Sequence, residues 1–155
     1  MSHSSRQLIK KDYTTNFTIE AEAQRLGIPL WFCFHKDTFP KPVRDGAYII
    51  NLADSDQEGT HWCALWKEGK AYCYFDSFGF PPPLDVEKWL PKYLYNATVI
   101  QNPEDGGCGS YSLEFTQWMN EHRNTPVKPR FQAFLNLWHE NFKKNRRVLR
   151  GLERD

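Results

Sequence analysis

The amino-acid sequence predicts an α+β fold in which a small central mixed or antiparallel sheet is flanked by helices. Short β-branched and aromatic runs are grouped between residues 31 and 101, and segments with helical spacing bracket them. Glycine and proline punctuate the joins. A chain of 155 residues has the size of one domain and can bury a core without disulfide staples. One domain over residues 1–155 is therefore expected, with residues 143–155 as a basic helix end or tail.

Taken in order, TIEAEAQRLG (18–27) predicts a first helix, with Thr18 as cap and Gly27 just past its end. WFCF (31–34) and AYIINL (47–52) have strand composition and are separated by a loop broken at Pro40 and Pro42. HWCALW (61–66) and AYCYFD (71–76) are two further strands joined by KEGK. After the triple proline at 81–83, VEKWLPKYL predicts a short helix ending near Pro91, and ATVIQ (97–101) another strand. From Cys108 to about His122, Tyr111, Phe115, Trp118 and Met119 recur at helical spacing. RFQAFLNLWHENF repeats that pattern.

Composition excludes some functions and leaves others open. Lys and Arg total 20 against 19 Asp and Glu, so overall charge announces neither a nucleic-acid nor a membrane partner. The aromatic content of 15 % suits a compact core rather than disorder. No apolar run approaches the roughly 20 residues that span a bilayer, and the start, MSHSSRQLIKKDY, lacks the apolar stretch of a secretory signal. A soluble, intracellular, non-secreted protein is expected. Cys33, Cys63, Cys73 and Cys108 have no CxxC spacing, which predicts reduced thiols.

The chemistry-bearing residues emerge from the hairpin. A two-residue loop at Glu68-Gly69 pairs Lys67 with Lys70 and, counting outward, His61 with Asp76. Opposed residues share a sheet face, close enough for a carboxylate to orient an imidazole. Such a pair also serves plain stability, and only a nucleophile against the histidine makes it catalytic. Cys108 is the candidate, because a thiol at a helix N-terminus meets unpaired N–H groups and the positive end of the dipole, which favour the thiolate. Gly106, Gly107 and Gly109 around it permit unusual backbone angles and close approach of a substrate chain. A buried packing cysteine is the competing reading. Gln101, seven residues upstream, can bring an amide beside the thiol as an oxyanion donor.

Other arrangements compete with this one. His61, Cys63, Asp76 and Cys108 could be zinc ligands, but their spacing fits no common zinc pattern, and no metal is expected. His122 lies about 21 Å along the Cys108 helix, too far to act on it. His35 and His139 have no acid placed across a strand. KKNRRVLR (143–150) is either a solvated helix face or a nucleic-acid contact through Lys143, Lys144, Arg146, Arg147 and Arg150.

In order, GTHW, YFDSFGFPPP and QNPEDGGCG resemble the adenovirus-type cysteine proteases (adenain) and their relatives in large DNA viruses, virophages and virus-like transposons. The wider group includes the SUMO proteases. LGIPLWFCFHKDTFP and GAYIINL are similar to the capsid-maturation members, so the resemblance covers most of the chain. It implies a papain-like core with the permuted order His, Asp, Gln, Cys. His61 would be the general base, Asp76 its orienting acid, Gln101 the oxyanion donor and Cys108 the nucleophile. Trp62, Gly106, Gly107 and Gly109 would shape the substrate groove, with simple packing as the alternative for Trp62. The resemblance further implies cleavage at Gly-Gly or Gly-x-Gly sites during viral capsid or precursor maturation, by a monomer located in the host-cell cytoplasm or nucleus or packaged in the virion. It requires no cofactor and allows DNA as an activator. The acid is aspartate, as in the SUMO proteases, where adenain has glutamate, so a SUMO or ubiquitin-like isopeptidase is the nearest alternative. With no cysteine between Cys73 and Cys108, a disulfide-linked peptide activator is not expected.

Overall fold

In the computed structural model of the chain, residues 13–56, 61–100 and 107–138 are described. Helix α1, Asn16–Leu26, is capped by Thr15, whose hydroxyl accepts the Thr18 N–H while Thr18 Oγ1 accepts the Thr15 N–H. The helix thus starts two residues before the expected Thr18 cap, with Thr18 as the third residue of a reciprocal capping box. Its end is as expected: Gly27 takes a left-handed φ of 73° and donates back to Ala23 and Gln24.

Five strands follow, β1 Leu30–His35, β2 Gly46–Asn51, β3 Trp62–Glu68, β4 Ala71–Phe75 and β5 Leu94–Tyr95, in the sheet order β1-β2-β3-β4-β5. The outer pairs are parallel and the two inner pairs antiparallel. This is the mixed sheet the sequence predicts. A short helix α2, Leu84–Glu87, lies between β4 and β5, and two longer ones, α3 Cys108–Glu121 and α4 Val127–Leu135, complete the order.

The β3–β4 register differs from expectation by two residues. Glu68 pairs with Ala71, so the turn is Gly69-Lys70 rather than Glu68-Gly69. The reason is steric. Gly69 adopts a φ of 62°, and placing it second in a two-residue I′ turn would also force Glu68 to positive φ; placing it first spares the glutamate. Glu68 stays in the strand, where its carboxylate takes both guanidinium nitrogens of the buried Arg130, at 2.8 and 3.1 Å. Arg130 also donates to the carbonyls of Met119 and Thr125, tying the hairpin to the α3–α4 connection.

Three other elements depart from expectation. Residues 97–100 are not a strand, because the side chain of Asn96 occupies the bonding groups of Asp76 that a longer β5 would use. Helix α2 begins directly after Pro83 and lasts one turn, its first N–H groups falling on the Pro83 carbonyl. Helix α4 begins one turn earlier than expected, after Pro126, and ends at Leu135. The remainder of its predicted span, from residue 139, lies outside the described residues.

The sheet is buried on both faces. On one, Ala47, Ile49, Trp62, Ala64, Trp66, Cys73 and Phe75 meet Ile19 of α1, Tyr111, Phe115 and Met119 of α3, and Phe131 and Phe134 of α4. On the other, Tyr48, Ile50, Cys63, Leu65 and Tyr74 meet Phe39, Val86 and Leu90. Every residue of α3 from Cys108 to Gln117 is buried, so its first residue is held as firmly as the core. All four cysteines are free and buried. No helix among the described residues is long and apolar enough to cross a membrane.

Gly109 explains how α3 fits so tightly. A Cβ there would be driven into the backbone carbonyl of Tyr13 and into contact with Ile19. The glycine is demanded by space, not by backbone angle, since neither Gly107 nor Gly109 has positive φ. Gly109→Ala should therefore lower stability on the order of 1–3 kcal/mol, although alanine is the better helix former. Chemical denaturation of both proteins checks this, and an unchanged or raised midpoint contradicts the packing.

Candidate active site

The site lies where β3 begins and β4 ends. His61 immediately precedes β3 and Asp76 immediately follows β4. Carrying the observed register one residue past β4 sets Asp76 across from Cys63, two residues from His61. His61 and Asp76 are thus diagonal neighbours rather than directly opposed ones. A slip of two residues preserves the sheet face, and the diagonal distance remains within side-chain reach. His61 Nε2 lies 2.8 Å from Asp76 Oδ1.

Direction of the proton follows from a second bond. The Phe78 N–H donates to the same Oδ1 at 2.8 Å, so that oxygen is an acceptor and His61 Nε2 is the donor. Nδ1 is left as the working nitrogen, buried and without a hydrogen-bond partner among the described residues. The two groups are nearly closed off, His61 8 % exposed and Asp76 0 %.

Cys108 is the first residue of α3. Its Sγ accepts the backbone N–H of Trp62 at 3.3 Å, which fixes the sulfur against the residue bonded to His61. Burial alone would lower the proton affinity of His61, but the Asp76 carboxylate and then the Cys108 sulfur outweigh it and raise the pKa to about 9. The sign for stability follows: the contribution is fully present below about pH 6.5 and is lost as pH rises through about 9. The other three thiols are differently placed. Burial pushes Cys33 and Cys63 up and Cys73 up to about 12, so none is a ready thiolate.

Some expected site residues fall elsewhere. Trp62 is 5 % exposed, sits in the core, and donates its indole N–H to the Thr14 carbonyl. Burial on that scale supports packing rather than a groove wall. Gly109 faces Tyr13 rather than open space. Gly107 is the buried N-cap of α3, and its carbonyl accepts the Tyr111 N–H. Gln101 and Gly106 lie outside the described residues, as do Lys143, Lys144, Arg146, Arg147 and Arg150 and the alternative base His139. His35 is turned to the Ala53 carbonyl and His122 to Trp118. Among the described residues no three of His, Cys, Asp and Glu form a group that could hold a metal.

Asn96 is a site residue the sequence does not disclose. Its Oδ1 accepts the Asp76 N–H at 2.9 Å, and its Nδ2 donates to the Asp76 carbonyl at 2.6 Å and to Thr98 at 3.2 Å. One buried amide thereby continues the sheet where β5 stops and fixes the backbone that carries the carboxylate. No local pattern distinguishes it, because an asparagine after a short strand usually marks a turn.

Asn96→Ala should leave the buried Asp76 N–H unpaired, at roughly 1–3 kcal/mol, while the Asp76 carbonyl keeps the Gly79 N–H. A large fall in Tm, with the His61 titration moved toward its ordinary value as Asp76 drifts, is the expected outcome. A Tm within experimental error of the parent contradicts the clamp.

The chain matches no protein-family model and no curated protein. Solved structures do resemble it. Two crystal structures of the ASFV pS273R protease, one a selenomethionine form, superpose with TM-scores of 0.54 and 0.50 at 19 % and 18 % identity. Each match covers 77 % of this chain, but only 61 % and 62 % of the protease. The chain spans about three fifths of the length of these neighbours, and the mixed five-stranded sheet with its flanking helices is a fold it shares with a protease.

Proposed function

We propose that the protein is a viral-type cysteine endopeptidase in which Cys108 is the nucleophile, His61 the general base and acid, and Asp76 the orienting acid. The observation that carries it is the convergence of three elements: the thiol at the start of α3 accepts the Trp62 N–H, beside a histidine whose Nε2 is already committed to Asp76. The shared fold supports it. A plain structural ion pair needs no sulfur beside it.

The reaction follows from the free Nδ1. Below about pH 9 the imidazole carries a proton on Nδ1 as well as on Nε2, and Cys108 attacks the scissile carbonyl carbon as the thiolate. The resulting oxyanion is met by the Cys108 backbone N–H and, in this proposal, by the Gln101 amide. As the tetrahedral species collapses, the C–N bond breaks and Nδ1 gives its proton to the leaving amine. Water then gives a proton to Nδ1 and attacks the thioester, releasing the acid and the Cys108 thiolate. Asp76 remains an acceptor throughout.

Glycine-rich cleavage sites, of the Gly-Gly or Gly-x-Gly kind, and a role in capsid or precursor maturation are the substrate half of the proposal, supported by the resemblance of the GTHW and GGCG motifs to adenain-type enzymes. Aspartate in the acid position keeps a SUMO or ubiquitin-like isopeptidase as the second reading. Parallel incubation with glycine-rich peptides and with ubiquitin-like precursors separates the two.

Cys108→Ala and His61→Ala should each abolish hydrolysis of a Gly-Gly peptide while leaving the protein folded, and Asp76→Asn should retain more residual rate, since an orienter contributes less than the nucleophile. An electrophilic Gly-Gly probe should modify Cys108; adducts on Cys33, Cys63 or Cys73, or activity surviving in either alanine variant, would sink the assignment.

The alkaline side of the pH profile is also set. Above about pH 9 the imidazole loses the proton that the leaving amine needs, so kcat/KM should fall with a midpoint near 9. A midpoint near the ordinary histidine value of about 6.5 would show that Asp76 and Cys108 do not act on the ring.

A further inference from the structure

We infer that Phe78 is a positioning residue that holds both members of the His61–Asp76 pair, its backbone seating the carboxylate and its ring seating the imidazole. The inference rests on the proposed peptidase chemistry for its consequence, but on geometry for its existence.

The residues responsible are adjacent in sequence. Asp76-Ser77-Phe78 turns sharply after β4, with the Gly79 N–H closing back on the Asp76 carbonyl at 2.8 Å. Gly79 makes the turn with a φ of 80°, against the backbone of Thr98 and Val99. Within this turn the Phe78 N–H meets Asp76 Oδ1 at 2.8 Å. The Phe78 ring lies on the His61 ring with centroids 4.1 Å apart and planes 7° from parallel. No other aromatic ring is stacked on His61 among the described residues.

Two consequences follow from elementary chemistry. Rotation of the imidazole about its bond to the chain would swing Nδ1 away from Cys108, and a parallel ring pressed on one face opposes that rotation. The π face is also negative, so it favours the imidazolium over the neutral imidazole. Phe78 is half-buried, so its ring stands between one face of His61 and solvent. The titratable groups acting on His61 are Asp76 after β4 and Cys108 at the start of α3. Cys63 and Tyr74 stand behind Asp76, with the Tyr74 hydroxyl donating to Cys63 Sγ at 2.9 Å; burial first, and the Asp76 carboxylate in addition, push both of them up.

The experiment compares the full chain with Phe78→Leu, which keeps bulk but removes the π face, and Phe78→Tyr, which keeps it. His61 is titrated by heteronuclear NMR, its signals assigned by their loss in His61→Ala, and kcat/KM is followed against pH with a Gly-Gly peptide amide. In Phe78→Leu the His61 midpoint should fall by roughly 0.4 to 1.5 pH units. The alkaline limb of kcat/KM should move with it, KM staying near the parent value. Phe78→Tyr should restore both. An unchanged His61 midpoint in Phe78→Leu overturns the inference, and so does a lower rate with an unmoved pH limb, which would mark a ring that only packs or lines a groove. If Phe78→Leu does not fold, Phe78→Met provides the same comparison. Should the parent cleave no peptide, the peptidase reading fails while the NMR midpoint still decides the role of Phe78.

Discussion

Side-chain alternation along β3 and β4 is the constraint on which the site depends. Because alternate residues of an antiparallel pair share a face, His61 and Asp76 can meet only in registers that keep them on one side of the sheet. The observed register does so with the two set diagonally, and a shift of one residue would send the carboxylate to the opposite face, where α3 and α4 pack. The turn therefore decides the chemistry at the far end of the hairpin. Gly69 at the first turn position, with Glu68 retained in the strand by Arg130, fixes a register whose effect is felt at Asp76.

A diagonal pair is less confined than a directly opposed one, and the surrounding contacts supply the confinement. Asn96 grips the Asp76 backbone on both its donor and its acceptor. Trp62 serves as the joint between three segments: its backbone N–H reaches Cys108, its indole reaches Thr14, and its ring fills the core. Tyr13, one residue further upstream, presses its carbonyl against Gly109 in the first turn of α3. Strand, N-terminal segment and helix thus meet around the sulfur. Displacing any one of them changes the distance between the thiol and the imidazole, which is how packing energy becomes catalytic geometry.

The sequence discloses what depends on local chemistry. Strands β1 to β4 are visible in their composition, α1 in its glycine stop, and the helical start at Cys108 in the spacing of Tyr111, Phe115 and Met119. What stays hidden depends on partners distant in the chain. Whether Gly69 is the first or the second turn residue is a choice between two locally acceptable hairpins, settled by the cost of a left-handed Glu68 and by its bond to Arg130. ATVI has strand composition, yet the Asn96 side chain takes the place its backbone would have filled. Gly109 looks like a concession to an approaching substrate, whereas its neighbour is Tyr13. The His61–Asp76 pairing was legible despite the wrong register because an error of two residues leaves side-chain faces unchanged. Phe78 was not, because the turn after Asp76 that lays its ring on His61 leaves no mark in strand composition.

The bonding around Asp76 also dictates which way protons can move. Oδ1 accepts from both His61 Nε2 and the Phe78 backbone, while Oδ2 is buried without a partner among the described residues. An oxygen already serving two donors gains little from taking the imidazole proton, since the Phe78 N–H would then face a weaker acceptor. The proton therefore stays on Nε2, and exchange is restricted to Nδ1, on the side of Cys108. A thiol, a leaving amine and a water molecule can each use that nitrogen in turn without the carboxylate changing state. Asp76 acts by keeping one end of the ring occupied, and the asymmetry between the two ring nitrogens turns a buried ion pair into a one-sided acid and base.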